Sequence, residues 1–348
     1  MGKIDYGLIY FLSQNSRISL KEVSSHLRKS SQRLKYSISA LNKEKIIEKP
    51  YCIFDYSCFG LILFRVYFRG AYINDQDKEH IIKELENNPY VTSIYEFTGE
   101  FDLTVEFASP NPSKFNKEFK KLLESIPTLN DYKMILNFVT YLFPNRYLIR
   151  YLNRVDDLLI TEKIIGGDKE KETFSANEMS ILKNLLLNPN MRLIQLADKT
   201  GLNAKTAKSI LRNLIKRNII RGFKYTLNTK KLNINKCRLF IKLHNLNLES
   251  ESKIMEFIIK TKEIVQINKT AGDWDLELDI ESLDRDKIKY LLLHLRESFK
   301  GLIERFSIIE FYHCYKRSYL PPFIFQEPFK IKKFFDAGNL PEGNTHKL

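Results

Sequence analysis

Two short segments of the sequence carry side chains suited to contacting a nucleic acid. On one face of a helix they would present arginine and glutamine, which bind guanine and adenine edges with paired hydrogen bonds, and lysine, which binds phosphate. The candidate contacts are Ser31, Gln32, Arg33, Lys35, Tyr36 and Ser37 in the first segment and Lys205, Thr206, Lys208, Ser209 and Arg212 in the second. We therefore expect two helices that can enter the major groove of double-stranded DNA.

The residues that would support metal or nucleophilic chemistry are scattered along the chain. No two cysteines have C-x-x-C spacing and no cluster of histidines and cysteines accompanies them, so we expect buried or half-buried free thiols and predict no metal or cofactor. No Ser–His–Asp arrangement, phosphate-binding loop or paired-carboxylate motif stands out. The four cysteines are Cys52, Cys58, Cys237 and Cys314, and the six histidines are His26, His80, His244, His294, His313 and His346.

The composition indicates a globular protein with a basic balance. Its 348 residues suit two to four compact domains, and 43% hydrophobic residues suffice for packed cores. No apolar run reaches the roughly 18 residues of a membrane-spanning helix, and the first residues lack the plan of a signal peptide. We expect a cytoplasmic protein without a membrane partner. The net charge of +14 favours a polyanionic partner, nucleic acid before an anionic membrane surface.

The chain contains an internal repeat. Residues 98–103 (TGEFDL) recur as residues 271–276 (AGDWDL), at an offset of 173. The same offset aligns apolar with apolar positions along the preceding part of each copy, for example Leu41 with Leu214. A constant offset over such a length predicts a duplicated unit of roughly 150 residues. The polar stretch 166–172 between the copies is interpreted as a linker.

The first unit is predicted to begin with a three-helix head. Apolar residues at helical spacing predict a helix over 4–13, a second helix from about Ser19 and a third from about Ser30. Ile46 and the residue after it are predicted to start a strand or wing. Three helices with a tight turn between the second and third describe a helix-turn-helix.

The second unit repeats this head with clearer end signals. Ser175 and Glu178 form a capping box that opens the first helix. Gly201 supplies the turn, and Asn203 can cap the third helix. Both heads are basic: residues 3–49 carry a net charge of +6 and residues 176–222 a net charge of +7. Because the rest of the chain is nearly neutral, this clustering indicates two surfaces that face phosphate.

After each head, the pattern predicts a small body of strand, helix, two strands, helix and strand. This β-α-β-β-α-β order is that of a ferredoxin-like domain, so the fold class is α+β with two copies of a (winged) helix-turn-helix followed by a ferredoxin-like domain. The predicted elements of the first body are 61–68, 75–87, 91–97, 102–107, 111–125 and 132–142, and those of the second are 237–243, 251–262, 264–270, 275–280, 284–299 and 303–315.

This combination resembles the Lrp/AsnC (feast/famine) transcription regulators. The resemblance covers about residues 3–143 and 176–316, and it rests on the helix-turn-helix, the opening IDYGLI and RISLKEV stretches, and the hairpin sequences GEFD and GDWD. In that family the body pairs sheets between subunits and binds amino acids or similar small molecules near the glycine hairpin. The resemblance therefore implies an amino-acid-like effector at Gly99, Asp102, Gly272 and Asp275. A tight turn alone would also need these residue types.

The chain departs from that family because it fuses two units, where family members usually carry one and dimerise. The two bodies are expected to pair within the chain as an internal pseudo-dimer, with further homo-oligomers left open, and the differing third helices predict unequal DNA half-sites. The predicted domains are helix-turn-helix 1–50, ferredoxin-like 58–145, linker 146–173, helix-turn-helix 174–223, ferredoxin-like 232–320, and a C-terminal arm and tail 321–348.

The main hypothesis is a sequence-specific, effector-modulated transcription regulator that is not an enzyme. Two alternatives stay open at this point. The chain could be an enzyme related to the sirohaem decarboxylases, which resemble Lrp/AsnC proteins, although its histidines do not recur between the copies. It could also be a sensing or assembly module without DNA binding, which the basic heads disfavour.

Overall fold

A computed structural model describes residues 4–149, 162–244 and 248–326, with only the backbone of residue 248. The first head has the three predicted helices, followed by a strand. These elements are α1 (Tyr6–Gln14), α2 (Leu20–Leu27), α3 (Ser31–Lys43) and β1 (Ile47–Phe54). Each helix begins at a polar cap whose side chain accepts a backbone N–H, and the apolar faces form a core around Leu8, Val23 and Leu34, all fully buried.

The first body has the predicted order of strands and helices, with boundaries within two residues of the prediction. Its elements are β2 (Ile62–Arg69), α4 (Asp75–Asn87), β3 (Val91–Thr98), β4 (Leu103–Ser109), α5 (Pro112–Ser125) and β5 (Asp131–Leu142). Both helices pack on one side of the sheet, where Phe107, Phe115 and Phe119 form part of a buried cluster.

The segment predicted as a linker, 146–173, contains a strand. β6 (Lys163–Gly166) pairs with the end of β5, and Ile165 is fully buried. The prediction missed it because two isoleucines in a polar stretch give no periodic signal. The carboxylate of the fully buried Asp55 accepts the Gly166 N–H at 3.0 Å, so this part of the segment is fixed to the first unit.

The second unit repeats the architecture. Its elements are α6 (Ala176–Leu187), α7 (Leu193–Thr200), α8 (Ala204–Lys216), β7 (Ile220–Leu227), β8 (Asn235–Leu243), α9 (Leu248–Lys260), β9 (Ile264–Ala271), β10 (Leu276–Ser282), α10 (Arg285–Ser298) and β11 (Ile303–Arg317). The capping box of Ser175 and Glu178 and the cap at Asn203 are both present.

The strands of the two bodies form one closed ring. Hydrogen-bonded neighbours follow the order β5-β2-β4-β3-β11-β8-β10-β9 and return to β5, with β6 added at the side. Every pairing is antiparallel, and the two seams between the bodies are β3–β11 and β5–β9. The result is an eight-stranded barrel with the body helices outside it. Within the described residues, the two sheets therefore pair inside a single chain.

The strands after the two heads also pair with each other. β1 and β7 form a two-stranded antiparallel ribbon in which Tyr51 lies opposite Lys224 and Ile53 opposite Gly222. The sequence predicted a strand or wing at this place in the first head. The strand exists, but its partner is the corresponding strand of the other head, because pairing between the units satisfies backbone groups that a single strand would leave open.

The first residues of the predicted C-terminal arm pack on the first body. The ring of Phe323 lies 4.5 Å from that of Tyr90, and the Phe323 N–H donates to the carbonyl of Pro89. The remainder of the predicted tail, from residue 327, lies outside the described residues.

Candidate nucleic-acid interface

The third helices α3 and α8 present their predicted contact residues to solvent. Leu34 and Leu41 bury one face of α3, and Ala207 and Leu214 bury the corresponding face of α8. Ser37 and Thr206 are half-buried. The other nine candidates are exposed: Ser31, Gln32, Arg33, Lys35, Tyr36, Lys205, Lys208, Ser209 and Arg212.

The five cations on these two faces have no acidic partner. Within the described residues, none of Arg33, Lys35, Lys205, Lys208 and Arg212 lies within 4.0 Å of a carboxylate oxygen, whereas other cations of the heads do form ion pairs. Tyr36 is 69% exposed. Exposed cations without local compensation can bind phosphate without first breaking an ion pair, so both faces fit a polyanion.

The turn before the third helix has the same shape in both heads. Gly201 ends α7 in the left-handed conformation at φ +67°, as predicted. At the equivalent position Arg28 ends α2 with φ +51°. A side chain in this region is strained, so the first head accepts a strained arginine where the second has glycine.

Direct contacts fix the two heads against each other. The Arg17 guanidinium donates to the carbonyls of Pro189 and Met191 at 2.7 and 2.6 Å and lies 4.4 Å from the ring centre of Phe223. Ser16 hydrogen-bonds Asn190 at 2.7 Å. Part of the positive charge of the first head therefore joins the heads rather than facing a partner. Together with the β1–β7 ribbon, these contacts set the spacing of α3 and α8.

The predicted effector residues lie in two hairpins, each packed against the opposite body. Gly99 has φ +126°, and a Cβ there would lie 3.4 Å from Ile309. Gly272 has φ +134°, and a Cβ there would lie 3.1 Å from the carbonyl oxygen of Met134. Both glycines thus allow a close approach of the two bodies in a backbone conformation that other residues rarely adopt.

The aspartates of these hairpins are already hydrogen-bonded. Asp102 accepts the Gly70 N–H, and Asp275 accepts the Leu243 N–H at 2.8 Å and an ammonium hydrogen of Lys242 at 2.9 Å. These contacts hold each hairpin to the end of the first strand of its own body. An effector's ammonium group would have to share or replace them. Effector binding at these residues stays a prediction.

A cluster of ionic groups connects the two hairpins. Glu100 pairs with Arg69 and accepts a hydrogen bond from Ser307 at 3.1 Å, and Lys133 lies 3.0 Å from Asp273. Burial alone would raise the pKa of Glu100, but the hydrogen bonds from Arg69 and Ser307 and the charge of Lys133 lower it. The carboxylate therefore stays ionised at neutral pH.

The interior of the barrel contains a charged network that the sequence analysis missed. Arg65 and Arg238 occupy equivalent positions and are each 1% exposed. Arg65 donates to Glu106 at 2.8 Å, and Arg238 donates to Asp279 at 2.6 Å. Burial alone would raise the pKa of Glu106 and Asp279, but the facing arginines lower it in both. The signal was present in the sequence, since both copies place an arginine in the middle of an apolar strand.

One carboxylate joins the two halves of this network. Glu277 is fully buried and accepts hydrogen bonds from the Tyr67 hydroxyl at 2.8 Å, from Asn268 at 3.1 Å and from Arg65. Because Tyr67 and Arg65 belong to the first body and Glu277 to the second, the network ties the two bodies across the interior of the barrel.

The described residues contain no group of three or more histidine, cysteine or acidic side chains that could hold a metal ion. All four cysteines are free, and Cys314 alone is half-buried rather than buried. No helix in the described ranges has the length and apolar character needed to cross a bilayer.

Comparison with known proteins agrees with this architecture. A family model described as winged helix-turn-helix DNA-binding matches residues 174–221. The HTH-type transcriptional regulator PH0061 of Pyrococcus horikoshii is 27% identical over 137 residues, which are 39% of this chain and 91% of the relative. The regulator FL11 of the same organism is 26% identical over 132 residues, 36% of this chain and 82% of the relative. Each relative thus corresponds in length to one unit.

Among solved structures, that of the siroheme decarboxylase NirDL covers 90% of this chain and 93% of its own, with 14% identity and a TM-score of 0.55. This likeness shows a shared fold over both units. The protein is thus a homologue of HTH-type transcriptional regulators with a winged helix-turn-helix DNA-binding domain. The predicted resemblance to transcription regulators with a helix-turn-helix is confirmed.

Proposed function

We propose that this chain is a sequence-specific, cytoplasmic transcription regulator that binds double-stranded DNA through α3 and α8 as an internal pseudo-dimer. The observation that carries the proposal is the set of five exposed cations on these two helices, which lack acidic partners among the described residues. The homology to HTH-type regulators supports the same conclusion independently.

The physical basis of binding would be twofold. Lysine and arginine contacts to phosphate supply most of the affinity through the release of counterions, and each lost contact lowers the slope of log K against log salt by about 0.9. Arg33 and Gln32 on α3, and Arg212 on α8, supply base recognition in the major groove. Since α3 and α8 carry different side chains, the two half-sites should differ in sequence.

The experiment is a salt titration of DNA binding on the full chain, with a site selected from a random duplex library. The triple variant Lys205→Ala, Lys208→Ala, Arg212→Ala should bind more weakly and with a shallower slope. The matched control removes the same charge from the exposed body helices with Lys253→Ala, Lys260→Ala, Lys289→Ala, and it should bind as the wild type does. Binding that is insensitive to salt, or an equal loss in both triple variants, contradicts the proposal.

Footprinting tests the unequal half-sites. The selected sequence should be protected over two segments of different sequence, because one helix presents Gln32 and Arg33 where the other presents Lys205 and Thr206. A strictly palindromic site, protected equally in both halves, would show that the two helices read DNA alike and would contradict this part of the proposal.

The same proposal includes an amino-acid-like effector at the hairpins of Gly99 and Asp102 and of Gly272 and Asp275. Calorimetric titration with the common amino acids tests it, and the variant Asp102→Asn, Asp275→Asn should bind the effector more weakly because a carboxylate attracts an α-ammonium group. Unchanged affinity in this variant would place any effector elsewhere.

A second candidate function is catalysis on a tetrapyrrole, which the likeness in fold to NirDL over both units favours. Two of the histidines argue against it, because His26 stacks on Phe11 and His294 packs on Phe257. His313 is exposed, with its ring centre 4.5 Å from that of Tyr315. Incubation with an iron tetrapyrrole separates the two functions, since an enzyme of this kind should develop a protein-bound visible absorption band.

A further inference from the structure

A cavity of about 140 Å³ lies where the ribbon of the heads meets the barrel. The hairpin glycines do not line it: Gly99 lies against Ile309 in the middle of β11, and Gly272 lies against Met134 and Ile135 of β5. The cavity walls come from both parts of the molecule: Tyr51 and Lys224 from the ribbon, and Gln266, Glu281 and Arg317 from the barrel. The mouth of a β-barrel is a common place for a small-molecule site.

Lys224 is a buried cation in this wall. Its side chain is 8% exposed, and no hydrogen-bond or ion-pair partner for it is found among the described residues. Burial, followed by the charges of Lys163 and Arg317, lowers the pKa of Lys224 from its ordinary 10.5 to about 7. Burying an amine without a partner lowers the free energy of unfolding, so stability does not explain why a lysine stands at this position.

Arg317 is the second cation. Its Nε is enclosed and has no hydrogen-bond partner in the described part of the chain. Its guanidinium lies 4.8 Å from the ring centre of Tyr51, which is directly opposite Lys224 in the ribbon. Arg317 of the barrel thus lies against the ring of the ribbon residue whose backbone is paired with that of Lys224.

The acidic residues of the cavity are all engaged by other groups. Glu281 accepts from Lys236 at 2.8 Å and from the Tyr147 hydroxyl at 2.6 Å. Asp279 pairs with Arg238, and Glu48 accepts from Asn228 at 2.9 Å. No described carboxylate is thus left within salt-bridge distance of Lys224 or Arg317.

We propose that this cavity binds a small organic anion, with its carboxylate or phosphate between Lys224 and Arg317 and its apolar part against aromatic side chains. Tyr51, Phe143, Tyr225 and Phe311 supply those aromatic walls. An anionic group would give both cations the partner that the protein does not supply, and charge-assisted hydrogen bonds of this kind are among the strongest in proteins. The site is distinct from the glycine hairpins.

Such a ligand would join the heads to the barrel. Lys224 and Tyr51 lie on the ribbon that continues directly from α8 and α3, and Arg317 lies at the end of a barrel strand. A bound anion would therefore restrict the movement of the heads relative to the barrel and alter DNA affinity. This regulatory consequence rests on the proposed function, whereas the binding site itself does not.

Calorimetric titration of the full chain without DNA tests the site. The probes are benzoate, inorganic phosphate and benzyl alcohol. They distinguish recognition of a carboxylate, of a phosphate and of an uncharged aromatic ring. At least one anion should bind about tenfold or more tightly than benzyl alcohol, and Lys224→Met should abolish that difference. The matched control, Lys253→Met on α9, removes an exposed lysine and should leave binding unchanged.

Proton uptake provides an independent readout. The charged groups that face Lys224 are Lys163 on β6, Arg317 on β11, Glu281 on β10 and Lys236 on β8. An anion that pairs with Lys224 should raise its pKa, so binding at pH 8 should take up a proton, seen as a dependence of the heat on the ionisation enthalpy of the buffer. Lys224→Met should remove this uptake.

Three results would overturn the inference: neither anion binds better than benzyl alcohol, Lys224→Met and Arg317→Met both bind as the wild type does, or binding takes up no proton at pH 8. Failure of the proposed function would be visible separately, because the chain would then bind the anion but show no salt-dependent binding to DNA.

Discussion

The third helices of the two heads have the same length of 13 residues and the same type of N-terminal cap, yet they present different chemistry. α3 exposes Gln32 and Arg33, which suit base edges, where α8 carries Lys205 and Thr206. Conversely, α8 exposes Arg212 where α3 carries Ser39. The same comparison can be made along the chain, since positions 173 residues apart occupy equivalent places in the fold but carry different side chains. Duplication has thus kept the scaffold, while the side chains on the two helices have diverged.

Glu277 and Thr104 occupy equivalent positions in the barrel interior, 173 residues apart. Of the pairs compared here, substitutions at these two should differ most in their effect on the free energy of unfolding. Glu277→Ala should lower the free energy of unfolding by about 3–5 kcal/mol, because it leaves Arg65 buried with one carboxylate fewer. Thr104→Val should be nearly neutral, since the buried Thr104 hydroxyl has no partner in the described residues. Urea unfolding measures both. Equal losses at the two positions would show that the network is not centred on Glu277.

The second largest difference in stability should follow substitution of the two hairpin glycines. Gly272→Ala should cost roughly 2–4 kcal/mol, since backbone strain adds to a clash of Cβ with the Met134 carbonyl oxygen at 3.1 Å. Gly99→Ala should cost about 1–3 kcal/mol, because its nearest neighbour is the side chain of Ile309 at 3.4 Å. Thermal unfolding would check the order, and a larger loss at Gly99 would contradict it.

In the ribbon, Lys224 stands where the first unit has Tyr51, and its effect on the free energy of unfolding should depend on pH. Lys224→Met should raise the free energy of unfolding by roughly 1–3 kcal/mol at pH 7, because a buried amine no longer has to be desolvated. The folded pKa of about 7 lies below the ordinary 10.5, so the cost in the wild type is greatest below pH 7 and disappears as pH rises toward 10.5. Denaturation at pH 6, 7.5 and 9 should show a shrinking advantage of the variant. A constant or growing advantage would contradict this assignment.

The third helices should respond differently to the loss of their exposed groups. Gln32→Ala with Arg33→Ala should reduce discrimination between DNA sequences by about 1–3 kcal/mol for each base read. Lys205→Ala with Lys208→Ala should weaken binding to all sequences alike and lower the salt slope by about 2. Competition binding on matched and mutated sites measures both effects, and identical behaviour of the two variants would contradict the different contacts assigned to these two pairs of side chains.

The smallest difference should be found at the turns before the third helices. Arg28→Gly should raise the free energy of unfolding by about 1 kcal/mol by relieving a left-handed arginine, and Gly201→Ala should lower it by about 1 kcal/mol. Chemical denaturation resolves changes of this size. Destabilisation by Arg28→Gly would indicate that the arginine side chain contributes contacts that outweigh the strain.

Local patterns in the sequence predicted most of the elements. The helix over 75–87 has the predicted bounds, and the capping box at Ser175 marks the observed start of α6. These features depend on neighbours three or four residues apart, which a sequence displays directly. The exposed face of α3 and of α8 could be predicted for the same reason.

The features that the sequence did not reveal depend on pairing between distant segments. Nothing local indicates that β1 pairs with β7 or that β3 pairs with β11, because strand partners are chosen by the whole fold. The interior role of Arg65 was hidden for a related reason. In a barrel both faces of a strand are buried, so the sequence does not show whether an arginine within an apolar run points into the barrel or toward the helices.

The closed ring of strands has a consequence for how the protein behaves on dilution. A regulator assembled from separate subunits dissociates when its concentration falls, since assembly follows mass action. Here both seams of the ring close within one molecule, so the pairing of the halves depends on their covalent connection and not on copy number. A protein of this design therefore keeps its two heads at a fixed ratio at any concentration.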